Sequence, residues 1–512
     1  MSLVGLIVLR MTTHVQVKQA AAPGSGPEPQ PVGRLLPGVV AQIVTRAAGT
    51  DFERWRGQVA ATRYCSRPVR LVGSSSRVST ATGEVLSSFT TGTEPDGVLL
   101  KACGNRRATR CRSCAEVYRS DTWQLVAAGL RGGKGVPEQV AGHPRLFVTL
   151  TAPSFGAVHG RRVDAAGQPR VCRPRSGSCR HGARLGCAIR HEPGDVALGS
   201  PLCAECFDYQ RAVLWNAVAP ELWRRTTVYL TRAFGREVGV NRARLAELSR
   251  LSFTKVAEYQ ARGLVHFHAV LRLDGPDGPP SPPPADVDAT VLARLVLATV
   301  PTVRAPLPAL DGRSPELAGW GEQLDVRTIR TDGDSDDPTA IAAYVAKYAT
   351  KSSTELGHDL DGRLRSAEQV AALRVPEHVR QLVSTCWDLG GRPELAGLQL
   401  RRWAHMLGFR GHFSTRSRRY STTLTVLRAA RADFQRSRGL ADDDQGEDDD
   451  LPDTDQDLPP DTVEVISRWQ FAGTGYSCRG DAVLARTAAT NYWSGFAEAR
   501  LEKRTRLCMA GS

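Results

Sequence analysis

The sequence predicts an α+β protein with Cys-rich zinc-binding elements and a basic carboxy-terminal region. Phe253 to Leu273 alternates apolar and polar residues about an Ala261-Arg262-Gly263 loop, the pattern of an antiparallel hairpin. Thr339 to Lys351 is an Ala-rich run with helical spacing. Nine of the twelve cysteines precede Phe207 and include two Cys-x-x-Cys pairs, the spacer that lets two thiolates reach one tetrahedral zinc.

With 512 residues and 55.5 kDa the chain is long enough for two to four domains and a core without disulfide staples. Its 41% hydrophobic and 23% charged content excludes a collagenous or disordered chain. No apolar run approaches the ~18 residues of a spanning helix. The short run Leu3 to Leu9 has neither a preceding basic residue nor a following cleavage pattern. A cytoplasmic protein without a membrane partner is therefore expected, with its cysteines unpaired. Lys and Arg total 67 against 53 Asp and Glu, a net charge of +14 that favours a polyanionic partner.

In chain order, residues 1–50 read as a flexible leader, since 18–40 are rich in Ala, Gly, Pro and Gln, and order is expected from near Asp51. A Cys-rich region follows at 51–140, where Cys65, Cys103, Cys111 and Cys114 make one closed four-thiolate site. A domain at 141–355 carries the hairpin and the helix. It contains a zinc-knuckle insertion near 172–206, in which Cys203 and Cys206 are completed from Cys179 or Cys187 and one neighbour, with Cys172, His181 and His191 among them. A second insertion near 275–285 holds six Pro in eleven residues, which excludes a helix or a central strand. Cys386, Cys478 and Cys508 are isolated and read as packed thiols.

Region 356–440 is basic: Arg401 to Arg438 has ten Arg and one Asp, interleaved with Trp403, Phe409, Phe413 and Tyr420, as expected where phosphates and bases are both contacted. An acidic linker, 441–461, follows, and taking away the ten negative charges between Asp442 and Asp457 raises the remainder from +14 to +24. Residues 462–512 form a last segment.

The hairpin carries the chemistry. Val265, Phe267, Ala269, Leu271 and Leu273 fall on one face, and His266, His268 and Arg272 on the other, off the core. With Gly263 in the left-handed position of the loop, Gln260 pairs with Leu264, Tyr259 with Val265 and Glu258 with His266. Two imidazoles and a carboxylate on one sheet face suit a divalent metal that keeps positions open for substrate oxygens. Downstream, at ~100° per residue, Tyr344, Lys347, Tyr348 and Lys351 share one side of the helix, where phenols beside ammonium groups suit attack on phosphate.

His266-Phe-His268 resembles the HUH motif of rolling-circle replication initiators, and Tyr344-Val-Ala-Lys-Tyr348 resembles their tandem-tyrosine motif. Arg145-Leu-Phe-Val-Thr-Leu-Thr-Ala-Pro153 is similar to the first family motif, a strand with Thr149 and Thr151 on one face. Cys103 to Cys111 and Gly408 to Tyr420 narrow the likeness to initiators of actinobacterial plasmids and integrative elements, over about Asp51 to Gln435. The resemblance implies an HUH palm, a central antiparallel sheet with the tyrosine helix beside it and the histidine face open to DNA. It also implies an endonuclease and strand transferase in which Glu258, His266 and His268 hold Mg or Mn. Tyr348 or Tyr344 attacks, with the expectation that Tyr348, flanked by Lys347 and Lys351, does so first and Tyr344 closes the circle. Origin DNA, single-stranded or supercoiled, is the implied partner, with a host polymerase and helicase, and Thr149, Thr151, Arg410, Arg416, Arg418 and Arg419 are the expected DNA contacts. Two rivals share parts of this pattern: a zinc-stabilised repressor without nuclease activity, and an HUH transposase or relaxase.

Overall fold

The structure is a computed structural model that describes residues 36–309, 316–330, 337–443 and 463–510. The chain is a mixed α/β protein with antiparallel sheets, divided into two compact units, Tyr118–Gln445 and a second made of both chain ends, Met1–Val117 with Gly446–Ser512.

The larger unit is built on a five-stranded antiparallel sheet. Its strands are β1 (Arg145–Leu150), β2 (Arg250–Tyr259), β3 (Val265–Asp274), β4 (Leu324–Thr328) and β5 (Ser414–Arg416), in the spatial order β4-β1-β3-β2-β5. β2 and β3 form the expected hairpin in the expected register: Glu258 faces His266, Val256 faces His268, and the Gln260 amide donates to Leu264 O over 2.9 Å. Gly263 closes the loop at φ +76°, a backbone conformation that favours glycine, and a Cβ there would displace the end of the Leu382 side chain, 2.3 Å away.

Leu146, Val148, Phe267, Ala269 and Leu271 face the main core, packed against the long helix Tyr209–Glu237 and the helix Ala289–Thr299. From the long helix the buried Asn216 pins the hairpin tip: Nδ2 donates to Gly263 O and Leu407 O, both 3.0 Å away, and Oδ1 accepts from the Val265 amide at 3.1 Å. The opposite face is covered too. Val256, Val270 and Phe147 pack there with Leu125, Val126 and Leu130 of the helix Arg112–Arg131 and with Ile341 and Val345 of the helix Pro338–Ala349. The histidine face was expected to open to DNA and instead lies largely under helices, with Arg272 fully buried on Asp274 at 2.6 Å.

The aromatics among the arginines are also corrected. Phe409, Phe413 and Tyr420 are buried: the first two pack edge-on or tilted against Tyr259, and Tyr420 lies against Arg272. They supply core area and are not available to stack on bases.

In the smaller unit, strand Val463–Thr474 pairs antiparallel with Val69–Ser79, which also pairs with Val85–Thr90 and Leu99–Lys101. The segments read separately at 51–140 and 462–512 therefore share one sheet. The leader expected through residue 50 contains the helix Pro37–Ala48, whose Arg46 bridges Asp481 at 3.0 Å and Asp96 at 2.7 Å. Of the acidic linker, residues 444–461 lie outside the described residues. Among the described residues no helix is long and apolar enough to cross a membrane.

Candidate metal and tyrosine site

Glu258, His266 and His268 converge at the tip end of the hairpin, with their ligand atoms all within 4.8 Å of one another. Glu258 Oε2 is 3.0 Å from His266 Nε2 and 3.4 Å from His268 Nε2. Burial alone would raise the Glu258 carboxyl, but hydrogen bonds from both histidines and the charge of Lys351 outweigh it and hold the group well below the usual carboxylate range. His268 is buried, and that burial pushes its imidazole down, towards the neutral form a ligand needs. Its Nδ1 lies 3.1 Å from Thr149 Oγ1 on the adjacent strand β1. When Nδ1–H donates to that hydroxyl, Nε2 keeps its lone pair for a metal in place of its hydrogen bond to Glu258. Two imidazole nitrogens and an ionised carboxylate oxygen are a donor set that could hold a divalent metal with positions left open.

The helix Pro338–Ala349 begins where the Asp337 side chain accepts from the Thr339 amide and Pro338 fills the first turn. Tyr344 and Tyr348 lie one turn apart with ring centroids 4.5 Å from each other, and both rings pack on His268, at 4.9 and 5.3 Å. Tyr344 Oη is 3.2 Å from His268 Nε2. Burial, then the neighbouring Tyr348, pushes the Tyr344 phenol well above its ordinary value. Lys351 stands past the end of the helix, where its Nζ bridges Glu258 at 3.0 Å and Glu355 at 2.9 Å and lies 4.8 Å from the Tyr348 ring centre. Lys347 Nζ is 5.7 Å from the same ring. The structure thus brings all seven of these predicted residues, with Thr149, to one place. Two participants were not anticipated, Phe147, stacked on His268, and Glu355. Either is found only once the strands are paired or the helix end is known.

The remaining predicted DNA contacts are dispersed. Thr151 is buried beyond the end of β1. Arg416 is half-buried on the edge strand β5, whereas Arg418 and Arg419 are exposed in the turn that follows it, and Arg410 is exposed with Nη1 donating to Gly397 O.

Cys65, Cys103, Cys111 and Cys114 assemble as expected. The Cys103 and Cys114 sulfurs are 3.6 Å apart, and Cys65 Sγ is 3.7 Å from those of Cys111 and Cys114. A tetrahedral site with ~2.3 Å metal–sulfur arms has edges of about 3.8 Å, whereas a disulfide requires about 2 Å. In the insertion, Cys203 and Cys206 are joined by Cys179 and His181, with His181 Nδ1 3.7 and 3.3 Å from the two sulfurs. Cys187, one of the two residues proposed to complete that pair, belongs elsewhere: it lies with His159, Cys172 and His191. His159 was missed because it precedes every cysteine of the insertion.

A family model described as replication initiator protein, pSAM2 (RepSA) matches residues 51–490. The chain belongs to this family. A replication initiator protein from Streptomyces ambofaciens is 42% identical over 466 residues, covering 89% of this chain and 94% of that relative. No solved structure matches. The family match spans the hairpin, the tyrosine helix and every Cys/His group described above, so the RepSA assignment covers the whole candidate site.

Proposed function

We propose that this RepSA-family chain nicks and rejoins one DNA strand at an origin and so starts rolling-circle replication of a plasmid or integrative element. The observation that carries the reading is the meeting of Glu258, His266 and His268 on one hairpin with Tyr344 and Tyr348 on a helix some 75 residues downstream. A five-stranded antiparallel sheet with that helix laid across its histidine strand is the layout expected of an HUH palm.

Glu258, His266 and His268 would hold Mg²⁺ or Mn²⁺, which when bound polarises the scissile phosphate and eases departure of the 3′ oxygen. Thr149 fixes the His268 tautomer by accepting from Nδ1. Tyr348, with Lys351 and Lys347 near its ring, attacks phosphorus first. The Oη–P bond forms as the phenol O–H and the P–O3′ bonds break, and the proton the phenol gives up balances the one the leaving oxygen takes up to become a free 3′-hydroxyl. The 5′ phosphate stays on the tyrosine, so a phosphodiester is exchanged for a phosphodiester and rejoining needs no outside energy. The 3′-hydroxyl primes a host polymerase, with a host helicase opening the duplex ahead of it. Tyr344, already against His268, then takes the regenerated junction and closes the displaced circle. Arg410, Arg416, Arg418 and Arg419 neutralise backbone phosphates, with Thr151 placed beside the strand that presents Thr149. Zinc at the four-cysteine group and at Cys179, His181, Cys203 and Cys206 is structural.

The test is cleavage of an origin oligonucleotide labelled at either end, in Mn²⁺. The expected products are a 5′ fragment with a free 3′-hydroxyl and a 3′ fragment linked to the protein through its 5′ phosphate, both lost in the Tyr344→Phe/Tyr348→Phe double variant. Free 5′-phosphate ends from the wild type, or cleavage by the double variant, would remove tyrosine from the mechanism.

A further inference from the structure

The second group in the insertion, His159, Cys172, Cys187 and His191, has its four ligand atoms within 4.8 Å of one another. His159 Nδ1 is 3.1 Å from His191 Nε2, and Cys187 Sγ is 3.6 Å from the same nitrogen. Arms of ~2.0 Å to nitrogen and ~2.3 Å to sulfur give tetrahedral edges of about 3.3 and 3.6 Å. The outer contacts suit a metal as well. Asp195 Oδ2 stands 2.6 Å from His191 Nδ1, which fixes the tautomer that leaves Nε2 free to ligate, and the Gly160 amide donates to Cys172 Sγ at 3.3 Å.

The insertion has nothing else to fold around. Between residues 158 and 201 the buried side chains are Cys172, Cys187 and His191, whereas Val163, Leu185, Ile189 and Val196 are exposed. A segment that buries so little apolar surface needs a staple. The order of ligands along the chain then decides how the staples work. His159 and Cys172 belong to this group, Cys179 and His181 to the neighbouring one, Cys187 and His191 to this one again, and Cys203 and Cys206 to the neighbour. The pairs alternate. Cys179 and His181 sit at the tip of a finger whose base is closed by Cys172 and Cys187, with reciprocal backbone bonds between Arg173 and Cys187.

We infer that His159, Cys172, Cys187 and His191 bind a zinc ion, and that this site and its neighbour form one interleaved two-zinc module in which neither ion is held without the other. The inference rests, for its neighbour, on the zinc reading of Cys179, His181, Cys203 and Cys206 given above. The module closes where His159 exchanges backbone bonds with Gly199 and Ser200, and Gly199 seats on the tip of the metal-site hairpin, where a Cβ would fall 2.2 Å from the Ala261 carbonyl carbon. Its folding therefore bears on the loop that joins Glu258 to His266.

Native mass spectrometry of the full chain tests this without any assay of nicking. The wild type is expected to carry three zinc ions. Cys172→Ser and Cys179→Ser, each touching one site only, are both expected to fall to one, the ion of the separate four-cysteine group. Three ions in the wild type with two left in either variant would overturn the coupling. Two ions in the wild type, both kept by Cys172→Ser, would overturn the new site while leaving the earlier zinc assignments standing. Where the variants do not fold, chelation of the wild type decides: with 4-(2-pyridylazo)resorcinol two of three equivalents should leave in a single kinetic phase, and three separate phases would contradict the module.

Discussion

Lys255 lies on β2, on the face opposite Glu258, and is buried in the main core. Its Nζ sits 4.0 Å from the Phe267 ring centre and 6.0 Å from that of Trp223, and its one hydrogen bond among the described residues goes to His412 O at 3.3 Å. No carboxylate pairs with it among the described residues, and burial lowers it from a lysine's ordinary 10.5 to about 7. At ~1.4 kcal/mol per tenfold change in proton affinity, that displacement corresponds to at most about 5 kcal/mol of destabilisation. The sign follows from proton counting. Below pH 7 both folded and unfolded chains carry the charge, and the cost is fully present. Between pH 7 and 10.5 the unfolded chain holds more protons, so the cost shrinks as pH rises and is gone above 10.5. Lys255→Met keeps the volume and removes the ammonium, so it should stabilise the larger unit by about 1–4 kcal/mol near neutrality, the usual range for replacing a buried charge. The assay is urea denaturation of wild type and variant at pH 6.5, 8 and 9.5, following tryptophan fluorescence. The advantage of the variant should fall steadily from the first pH to the last. A Lys255→Met protein less stable than the wild type, or an advantage that grows with pH, would show that the ammonium is satisfied by something other than His412 O and is not a cost to the fold.

Asn216→Leu should destabilise the chain by about 2–4 kcal/mol in the same denaturation series, because it strips Gly263, Leu407 and Val265 of buried partners at once. His266→Ala and His268→Ala should abolish origin cleavage while fluorescence-anisotropy affinity for DNA stays within about threefold, since phosphate contacts supply most of the binding energy. Thr149→Val should lower the cleavage rate about tenfold and raise the Mn²⁺ concentration needed for half-maximal rate, whereas Thr149→Ser restores both; an unchanged metal requirement in Thr149→Val would mean that the hydroxyl does not orient His268. Replacing Arg416, Arg418 and Arg419 together should flatten the log–log salt dependence of binding by about one for each phosphate no longer neutralised, and an unaltered slope would place these arginines away from DNA.

The metal and tyrosine site was legible because each of its parts is written in local periodicity. Alternation with period two fixes which face His266 and His268 share, and Gly263 fixes the turn that sets Glu258 opposite His266. Helical spacing does the same for Tyr344 and Tyr348. What local pattern does not encode is which second layer covers a face. The arginine-rich segment has the composition of a nucleic-acid surface, yet Phe409 and Phe413 return to the underside of the same hairpin because Tyr259 and Phe267 leave apolar area there. Spacing likewise identifies Cys203 and Cys206 as a pair but says nothing of which other pair joins them, since interleaving is a property of the path and not of the motif. The union of Val69–Ser79 with Val463–Thr474 spans nearly the whole chain and left no sign in either segment.

The proposed reaction leaves a tyrosine of the Pro338–Ala349 helix covalently linked to DNA beside the Glu258–His266–His268 site. Peptide-level mass spectrometry of the wild-type chain after reaction with a single-stranded origin oligonucleotide in Mn²⁺ tests it most directly. A nucleotide adduct is expected on the peptide containing Tyr344 and Tyr348, mainly on Tyr348, and none when His268 is replaced by Ala. An adduct on any other residue, or cleaved DNA with no adduct on the protein, would contradict it.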